Sequence, residues 1–410
     1  MSETAASTGI DPSPTLAPPD FPEELRAILE LPYPRFSAAE MERRRALTAA
    51  AMAKAEVDHL VIYGASRFGG VIQWLTQWPV TTEAVGVITP GTRDALYVQY
   101  YNHLPLARRL AAEATVEWGE ASAIGQAIAA LERRGARAGR VGFMGPIGYR
   151  ALEALKQRFG TVPDLNPAYT RMRLRKSAEE ILWLRIGAAF SDRAIAALAV
   201  ELRPGLTERE VGAIIETAYL RWGGTNWIHF IGVTSMAAPD CCVPAQYPAT
   251  RRLGAGDVLF TEISGNFWDY SGQVLRSFAI AAEPTPLYRE LHAAADRAFD
   301  AIAGTLHAGA TAAQVVEAAG VIEAAGFTTC DDILHGYGGG YLPPVLGSKS
   351  RPAAGPLPDF TFASGMTVVI QPNVVTRDGK AGVQTGELVH ITETGIERLH
   401  AAPRGFRRVG

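Results

Sequence analysis

The sequence predicts an α/β domain followed by a larger domain that contains a long β-hairpin. Helix-like and strand-like runs alternate from residue 21 to about residue 170, which is the pattern of strands layered against helices. Two capped helices begin after Lys176, and two long strand-like runs follow them. The length agrees with this division, because 410 residues at roughly 150 residues per domain give two or three domains.

The first 175 residues comprise a polar segment and the α/β domain. Residues 1–20 are rich in Ser, Thr, Pro and Ala, and we predict that they are disordered. In the domain at 21–175, Ser37 followed by Glu40 predicts a capped helix to about residue 55. Pro90-Gly91 predicts a turn between two strands. The predicted strands are 59–63, 84–89, 95–100 and 141–144, and the further helices are 121–134 and 149–159.

The second domain, predicted at 176–410, begins with helices. Ser177 and Glu180 form a capping box that predicts a helix to about residue 202. Thr207 and Glu210 predict a second helix to about residue 221, after a break at Pro204. Further helices are predicted at 285–308 and 311–325.

The hairpin is the most informative stretch. Its first arm reads GDVLFTEISG (256–265) and its second reads YSGQVLRSFAI (270–280), with Gly265-Asn266 as the predicted turn. Glu262 and Gln273 each lie among apolar neighbours. Because buried polar groups cost free energy without partners, the pair is either a hydrogen-bonded core pair or the floor of a site.

These motifs resemble the pita-bread family of methionine aminopeptidase, aminopeptidase P, prolidase and creatinase. The resemblance rests on the hairpin, on LHGYG (334–338), on MTVVIQPN (366–373) and on GVQTGELV (382–389). It extends from about residue 178 to the C-terminus and is weaker over 21–175. It implies a creatinase-type α/β N-terminal domain followed by an α+β pita-bread catalytic domain, and a homodimer.

The resemblance also locates five positions at which the family's peptidases bind two metal ions through four carboxylates and one histidine. Here those positions hold Glu262, Gln273, His335, Gln371 and Gly386. Divalent ions need anionic oxygen ligands to offset their desolvation, and amide oxygens are neutral. We therefore expect no metal and no other cofactor.

Two neighbouring carboxylates bear on this expectation. Glu387 is one residue along the strand from Gly386, so its side chain is predicted to point to the other face. Asp269 would share a face with Ser271 and Gln273 in a regular strand, which leaves one route to a metal site.

Other residues are candidates for substrate contacts. The family's peptidases carry two more histidines near the substrate, and here Asp240 or Cys241 and Leu342 lie at those places. Trp227 and His229 alternate on one strand, so they either line the pocket or fill the core. The remaining candidates for substrate binding are Tyr337, Tyr341 and Arg67.

The sequence therefore predicts a metal-independent, creatinase-like hydrolase that acts on a C–N bond of a small guanidino, amidine or amide compound. His335, or alternatively His229, would transfer protons; Glu262 would orient the substrate or the base, or protonate the leaving group. Gln273 and Gln371 would bind the substrate. The alternatives are a metal-free lyase or isomerase, a non-catalytic binding protein, and an atypical Xaa-Pro metallopeptidase. Glu262 and His335 also have purely structural interpretations.

Composition limits the partners. A net charge of −3 gives no indication of nucleic-acid binding, and no apolar run approaches the ~20 residues that span a bilayer. The N-terminus lacks a basic stretch followed by an apolar one, so we expect no signal peptide. Three cysteines form no disulfide framework. We expect a cytoplasmic protein whose partner is a small-molecule substrate.

Overall fold

The computed structural model describes residues 18, 20–65 and 70–410. The predicted N-terminal segment lies almost entirely outside these residues, and Arg67 lies outside them as well. The helices are α1 (Glu23–Leu29), α2 (Ala38–Lys54), α3 (Gly70–Thr76), α4 (Leu104–Leu110), α5 (Ala123–Arg133), α6 (Tyr149–Phe159), α7 (Asn166–Leu174), α8 (Ala178–Glu201), α9 (Glu208–Leu220), α10 (Pro286–Thr305), α11 (Ala312–Ala318) and α12 (Val321–Ala324).

The strands form two main sheets and one short pair. They are β1 (His59–Ala65), β2 (Glu83–Thr89), β3 (Thr92–Val98), β4 (Ala114–Trp118), β5 (Val141–Met144), β6 (Thr225–Ser235), β7 (Asp257–Phe267), β8 (Tyr270–Ile280), β9 (Thr328–Thr329), β10 (Leu334–Tyr337), β11 (Tyr341–Leu346), β12 (Thr367–Ile370), β13 (Val374–Val375), β14 (Gly386–Ile391), β15 (Ile396–Arg398) and β16 (Arg407–Val409).

The first sheet has the order β4-β3-β2-β1-β5 and carries one apolar core on each face. The β2 strand is antiparallel to β1 and β3, whereas β4 and β5 pair in parallel with their neighbours. The Pro90-Gly91 turn is confirmed. The β3 strand starts earlier than predicted because Thr92 pairs with Thr89 directly across this turn. The β4 strand was not predicted from the sequence.

The second sheet has the order β11-β10-β12-β14-β8-β7-β6, and β15 and β16 pair with β14 and β8. Adjacent residues of β7 alternate between two cores. Leu259 and Ile263 pack in the core that contains α8 and α9, whereas Val258 and Phe260 pack in the core that contains α10. The first core also takes in Leu25 of α1. None of the helices in the described ranges combines the length and apolar character needed to cross a bilayer.

The predicted capping boxes of α8 and α9 are confirmed, with reciprocal hydrogen bonds at Ser177–Glu180 and Thr207–Glu210. Ser37 caps α2 by accepting a hydrogen bond from the Glu40 amide at 3.2 Å. The predicted helix at 311–325 is wrong in one respect, because the chain forms two short helices, α11 and α12.

The hairpin turn is not at Gly265-Asn266. Both residues belong to β7, and the turn is the pair Trp268-Asp269, with φ of 49° and 72°. Two residues with positive φ match the twist of the flanking strands in a two-residue hairpin. Gly265 has a packing role instead, because a Cβ atom there would lie 3.0 Å from the Phe190 Cβ atom of α8.

The α8 helix packs on the hairpin through glycines on both elements. A Cβ atom on Gly272 would lie 2.2 Å from the Ala188 Cα atom, and one on Gly187 would lie 2.5 Å from the Tyr270 carbonyl oxygen. Ser191 crosses the same contact by donating to the Gly272 carbonyl at 2.5 Å and accepting from the Gly265 amide at 2.8 Å. The backbones can approach this closely only because side chains are absent.

We expect Gly272→Ala to destabilise the protein by more than about 1 kcal/mol, because the added methyl group overlaps the α8 backbone. Gly304→Ala is the control. That glycine is exposed in α10 with no atom near the position of a Cβ, so the change should be neutral or slightly stabilising. Urea unfolding measures both effects. Equal stabilities of the two variants would contradict the packing argument.

Candidate active site

Four of the polar residues singled out in the sequence meet beside the hairpin. The Gln273 side-chain amide donates to Glu262 Oε1 at 2.5 Å and to Gln371 Oε1 at 3.3 Å. Glu262, Gln273 and Gln371 are buried, with 8%, 2% and 2% of their surface exposed, and His335 is fully buried. The fold thus brings side chains from β7, β8, β10 and the end of β12 into one cluster.

Strand pairing explains why Glu262 and Gln273 meet. Gln273 lies opposite Ser264 in the β7–β8 ladder, and Glu262 is two residues from Ser264 on the same face. This face is the one that carries Val258 and Phe260 toward α10 at the other end of β7. This face is therefore apolar at Val258 and Phe260 and becomes polar from Glu262 onward.

The Glu262 carboxyl is held in its neutral form. Burial raises the pKa of Glu262 to about 8, and the negative charges of Asp331 and Asp332 add to this shift. At neutral pH the group is therefore a carboxylic acid that can donate a proton. Its bond from Gln273 fits this state, because the carbonyl oxygen of a carboxylic acid accepts a hydrogen bond.

The pKa of His335 is shifted in the opposite direction from that of Glu262. Its Nδ1 lies 3.1 Å from the Gly336 carbonyl oxygen, which can only accept, so Nδ1 carries the proton. Burial lowers the pKa of His335 to about 4, so the ring is neutral at pH 7. Its Nε2 makes no hydrogen bond of full geometry within the described part of the chain, although the Gln371 side chain lies close enough to act on the pKa of the ring. The cluster therefore contains a neutral imidazole with a free lone pair.

Two tyrosines surround His335. The Tyr341 ring stacks on the imidazole with 3.9 Å between centroids, and the Tyr337 ring lies 5.5 Å away at a steep angle. The Tyr337 hydroxyl accepts from Ser271 Oγ at 3.0 Å, which connects β10 to the hairpin. The contacts with both rings restrict the orientation of the imidazole.

Sequence reasoning missed an acidic pair, Asp331 and Asp332, directly before β10. Asp332 Oδ1 accepts from the Tyr341 hydroxyl at 2.9 Å. The Asp332 carbonyl oxygen lies 3.5 Å from the Gln371 amide nitrogen. Two consecutive aspartates next to the His335 strand were the available signal, and their effect on Glu262 comes only from the folded arrangement.

His229 is separated from this cluster, and this placement does not favour its predicted role as the alternative proton-transfer group. It pairs with Ile263 in the β6–β7 ladder, so it faces α9, whereas Phe230 is the residue opposite Glu262. Its Nε2 lies 2.5 Å from the Tyr219 hydroxyl, and its Nδ1 lies 2.6 Å from the Ile228 carbonyl oxygen. Strand alternation therefore gives His229 a structural role in the core.

Asp240 also lies away from the cluster. Its carboxylate accepts from Thr234 Oγ1 at 2.6 Å and lies 3.6 Å from Arg251 Nη1, with the side chain mostly exposed. This position does not favour the predicted contact of Asp240 with substrate. Trp227 is partly buried at a register irregularity of β6 and packs beside Gly340.

The two carboxylates considered as further metal ligands do not reach the cluster. Asp269 lies in the hairpin turn, so it does not share the strand face of Gln273. Glu387 is fully buried in an ion network, where it accepts from Arg276 at 2.7 Å and from Arg398. As predicted, the Glu387 side chain lies on the face of the strand opposite to that of position 386. A Cβ atom added to Gly386 would lie 2.9 Å from the Gln371 Cα atom.

The cluster therefore does not suit a two-metal centre. Its own members are one carboxyl group, two neutral amides and one imidazole, and the nearby Asp331 and Asp332 do not join them in a metal-binding group. Divalent ions need several anionic oxygens for such a site. Within the described residues, no group of three or more His, Cys, Asp or Glu side chains is arranged to hold a metal ion.

Comparison with known proteins gives sequence relatives of modest identity. The "Uncharacterized hydrolase/peptidase y4tL" of Sinorhizobium fredii is 26% identical over 67% of this chain and 69% of its own length. The "Probable dipeptidase PepE" of Mycobacterium tuberculosis is 28% identical over 61% of this chain and 64% of its own length. The chain thus spans about two thirds of the length of these curated relatives.

Solved structures share the fold over nearly the whole chain. Dipeptidase PepE from Mycobacterium ulcerans has a TM-score of 0.76 at 24% identity, covering 92% of this chain and 99% of its own. The Xaa-Pro dipeptidase from Bacillus anthracis has a TM-score of 0.75 at 19% identity, covering 90% and 99%. The predicted N-terminal domain followed by a pita-bread domain is therefore confirmed.

The family itself is established by the sequence of the second domain. The model of metallopeptidase family M24 matches residues 183–393, which is more than half of the chain. This match contains the hairpin, His335, Gln371 and Gly386. The chain belongs to metallopeptidase family M24.

Proposed function

We propose that the protein is a metal-independent hydrolase that cleaves a C–N bond of a small guanidino, amidine or amide compound. One observation carries this proposal: a protonated Glu262 and a neutral His335 are held in one cluster whose other members are amides. Environments that move the pKa values of an acid and a base in opposite directions are typical of acid–base catalysis.

The proposed reaction uses each group in the state that the fold favours. His335 Nε2 accepts a proton from water as the water oxygen bonds to the substrate carbon. Glu262 donates its proton to the leaving nitrogen as the C–N bond breaks. The proton on His335 then returns to the Glu262 carboxylate, so the net change is the addition of one water molecule.

The amides at the family's metal-ligand positions support a neutral polar substrate group. Gln273 and Gln371 keep the hydrogen-bonding capacity of carboxylates without their charge. The relatives named as hydrolases and dipeptidases support hydrolysis, and a peptide bond is itself a C–N bond. The donor set argues against the metal chemistry that the family name implies.

The protonated state of Glu262 predicts a pH effect on stability. The folded protein keeps a proton that the unfolded chain releases above its pKa of 4.5, so stability from this group falls as the pH rises toward 8. The slope is at most about 1.4 kcal/mol per pH unit. Glu262→Gln cannot titrate and lacks this slope.

Urea unfolding of wild type and Glu262→Gln at pH 5, 6, 7 and 8 should therefore show the variant gaining relative stability at each step. Glu290→Gln, at an exposed position of α10, is the control and should follow the wild type. A constant difference between wild type and Glu262→Gln across this range would mean that Glu262 is ionised in the folded state.

Turnover provides the direct test. A panel of guanidino, amidine and amide compounds is incubated with the protein, and products are identified by mass. A gain of one water molecule is expected, and Glu262→Gln should lower turnover at least ~10²-fold. A product without added water would assign the protein to the lyases or isomerases. Near-wild-type turnover by Glu262→Gln would remove Glu262 from the mechanism.

Metal content tests the proposed metal independence of the reaction. Elemental mass spectrometry of the purified protein should find less than about a tenth of an equivalent of transition metal, because the cluster contains only one carboxyl group. Chelation should leave the melting temperature and turnover unchanged. One or two tightly bound equivalents, with loss of turnover on chelation, would return the protein to the metallopeptidases.

A further inference from the structure

The side-chain amide of Asn373 is fully buried and forms no hydrogen bond with any described residue. None of its surface is exposed, and neither Nδ2 nor Oδ1 has a partner within the described residues. The buried Asn266 differs in one atom, because its Nδ2 donates to Thr225 Oγ1 at 2.9 Å, whereas its Oδ1 also has no partner within the described residues. A buried polar group is almost always paired with protein, water or a bound molecule, so Asn373 calls for a partner.

Asn373 lies directly beside the candidate active site. Its backbone amide donates to the Gln371 carbonyl at 2.7 Å. The segment 371–375 runs between two others: Val374 pairs with Thr329 on one side, and the Val383 amide donates to the Val374 carbonyl on the other. These pairings place Asn373 between the segment that leads to Asp332 and the segment that leads to Gly386.

A second unpartnered amide lies on that last segment. Gln384 is buried, and its Oε1 has no partner within the described part of the chain. Its backbone is fixed by Ser277 of β8, which donates to the Gln384 carbonyl and accepts from the Gln384 amide, each at 2.9 Å. The backbone is therefore held firmly while the side-chain oxygen remains available.

We infer that Asn373 and Gln384 bind a second polar group of the substrate, and that this group is a carboxamide, ureido or amidine rather than a carboxylate. The inference rests on the proposed function and specifies its substrate class. Asn373 offers one donor and one acceptor, and Gln384 offers an acceptor. If the Asn373 amide is rotated so that its oxygen and nitrogen change places, it still offers one donor and one acceptor, since neither atom has a partner within the described residues.

The donors and acceptors of Asn373 and Gln384 determine which chemical class of substrate group can bind. A carboxamide or amidine carries N–H groups that can donate to Asn373 Oδ1 and Gln384 Oε1. A carboxylate only accepts, so it could pair with Asn373 Nδ2 but would meet the two carbonyl oxygens with repulsion. The subsite therefore selects against the free carboxylate of a dipeptide.

Two compounds that differ only at this group test the inference. N-acetylglycinamide and N-acetylglycine share an acetyl C–N bond and end in a carboxamide or a carboxylate. Calorimetric titration of the wild type should show about tenfold tighter binding of the carboxamide, the effect of one hydrogen-bonded pair. Asn373→Leu should lose this preference.

Thermal unfolding separates a binding role from a structural one. Asn373→Leu replaces an unpartnered amide by an apolar group of similar size, so its melting temperature should equal or exceed that of the wild type. Asn266→Leu is the matched control and should melt at a lower temperature, because it breaks the bond to Thr225. A lower melting temperature for Asn373→Leu would assign Asn373 a structural role and overturn the inference.

The outcomes distinguish the two proposals. Equal binding of both compounds by the wild type, or binding of neither, overturns the role of Asn373 and Gln384. Preferential binding of N-acetylglycinamide that Asn373→Leu abolishes supports it. If N-acetylglycinamide binds in this way and no compound of the panel is hydrolysed, the proposed hydrolysis fails and the inferred subsite stands.

Discussion

The hydrogen bond from the Gln273 amide to Glu262, across the β7–β8 hairpin, is the interaction on which the candidate site depends. The same amide nitrogen reaches Gln371 at the end of β12, so one side chain links three parts of the second sheet. A carboxyl group at position 273 could not ionise together with Glu262, because the two charges would repel each other unless cations lay between them. The amide removes that repulsion, and the cluster closes by hydrogen bonding.

The hairpin is held in place from its other face. Gly187 and Gly272 let α8 approach the strand backbone, and Ser191 bonds to both arms. Further along β8, Arg276 binds the buried Glu387 of β14. These contacts fix the separation of the strands that carry the polar cluster, and such fixed positions are what a site requires.

Burial determines the protonation states within the cluster. It keeps the Glu262 carboxyl neutral and the His335 ring neutral, which are the opposite of their usual charge states in water near pH 5 to 6. The acidic pair Asp331 and Asp332 strengthens the effect on Glu262. Four uncharged side chains held together in this way would be suitable partners for an uncharged polar group.

The sequence by itself determined the helix caps, the strands of the hairpin and the replacement of carboxylates by Gln273, Gln371 and Gly386, because these follow from local patterns. The turn predicted at Gly265-Asn266 was wrong, because Gly265 is required for the contact with α8. A glycine in the sequence does not by itself distinguish a turn from close packing. Only the tertiary structure directed His229 toward α9 and brought Asp331 and Asp332 to Glu262. The physical reason is that strand register and long-range burial decide which side chains share an environment.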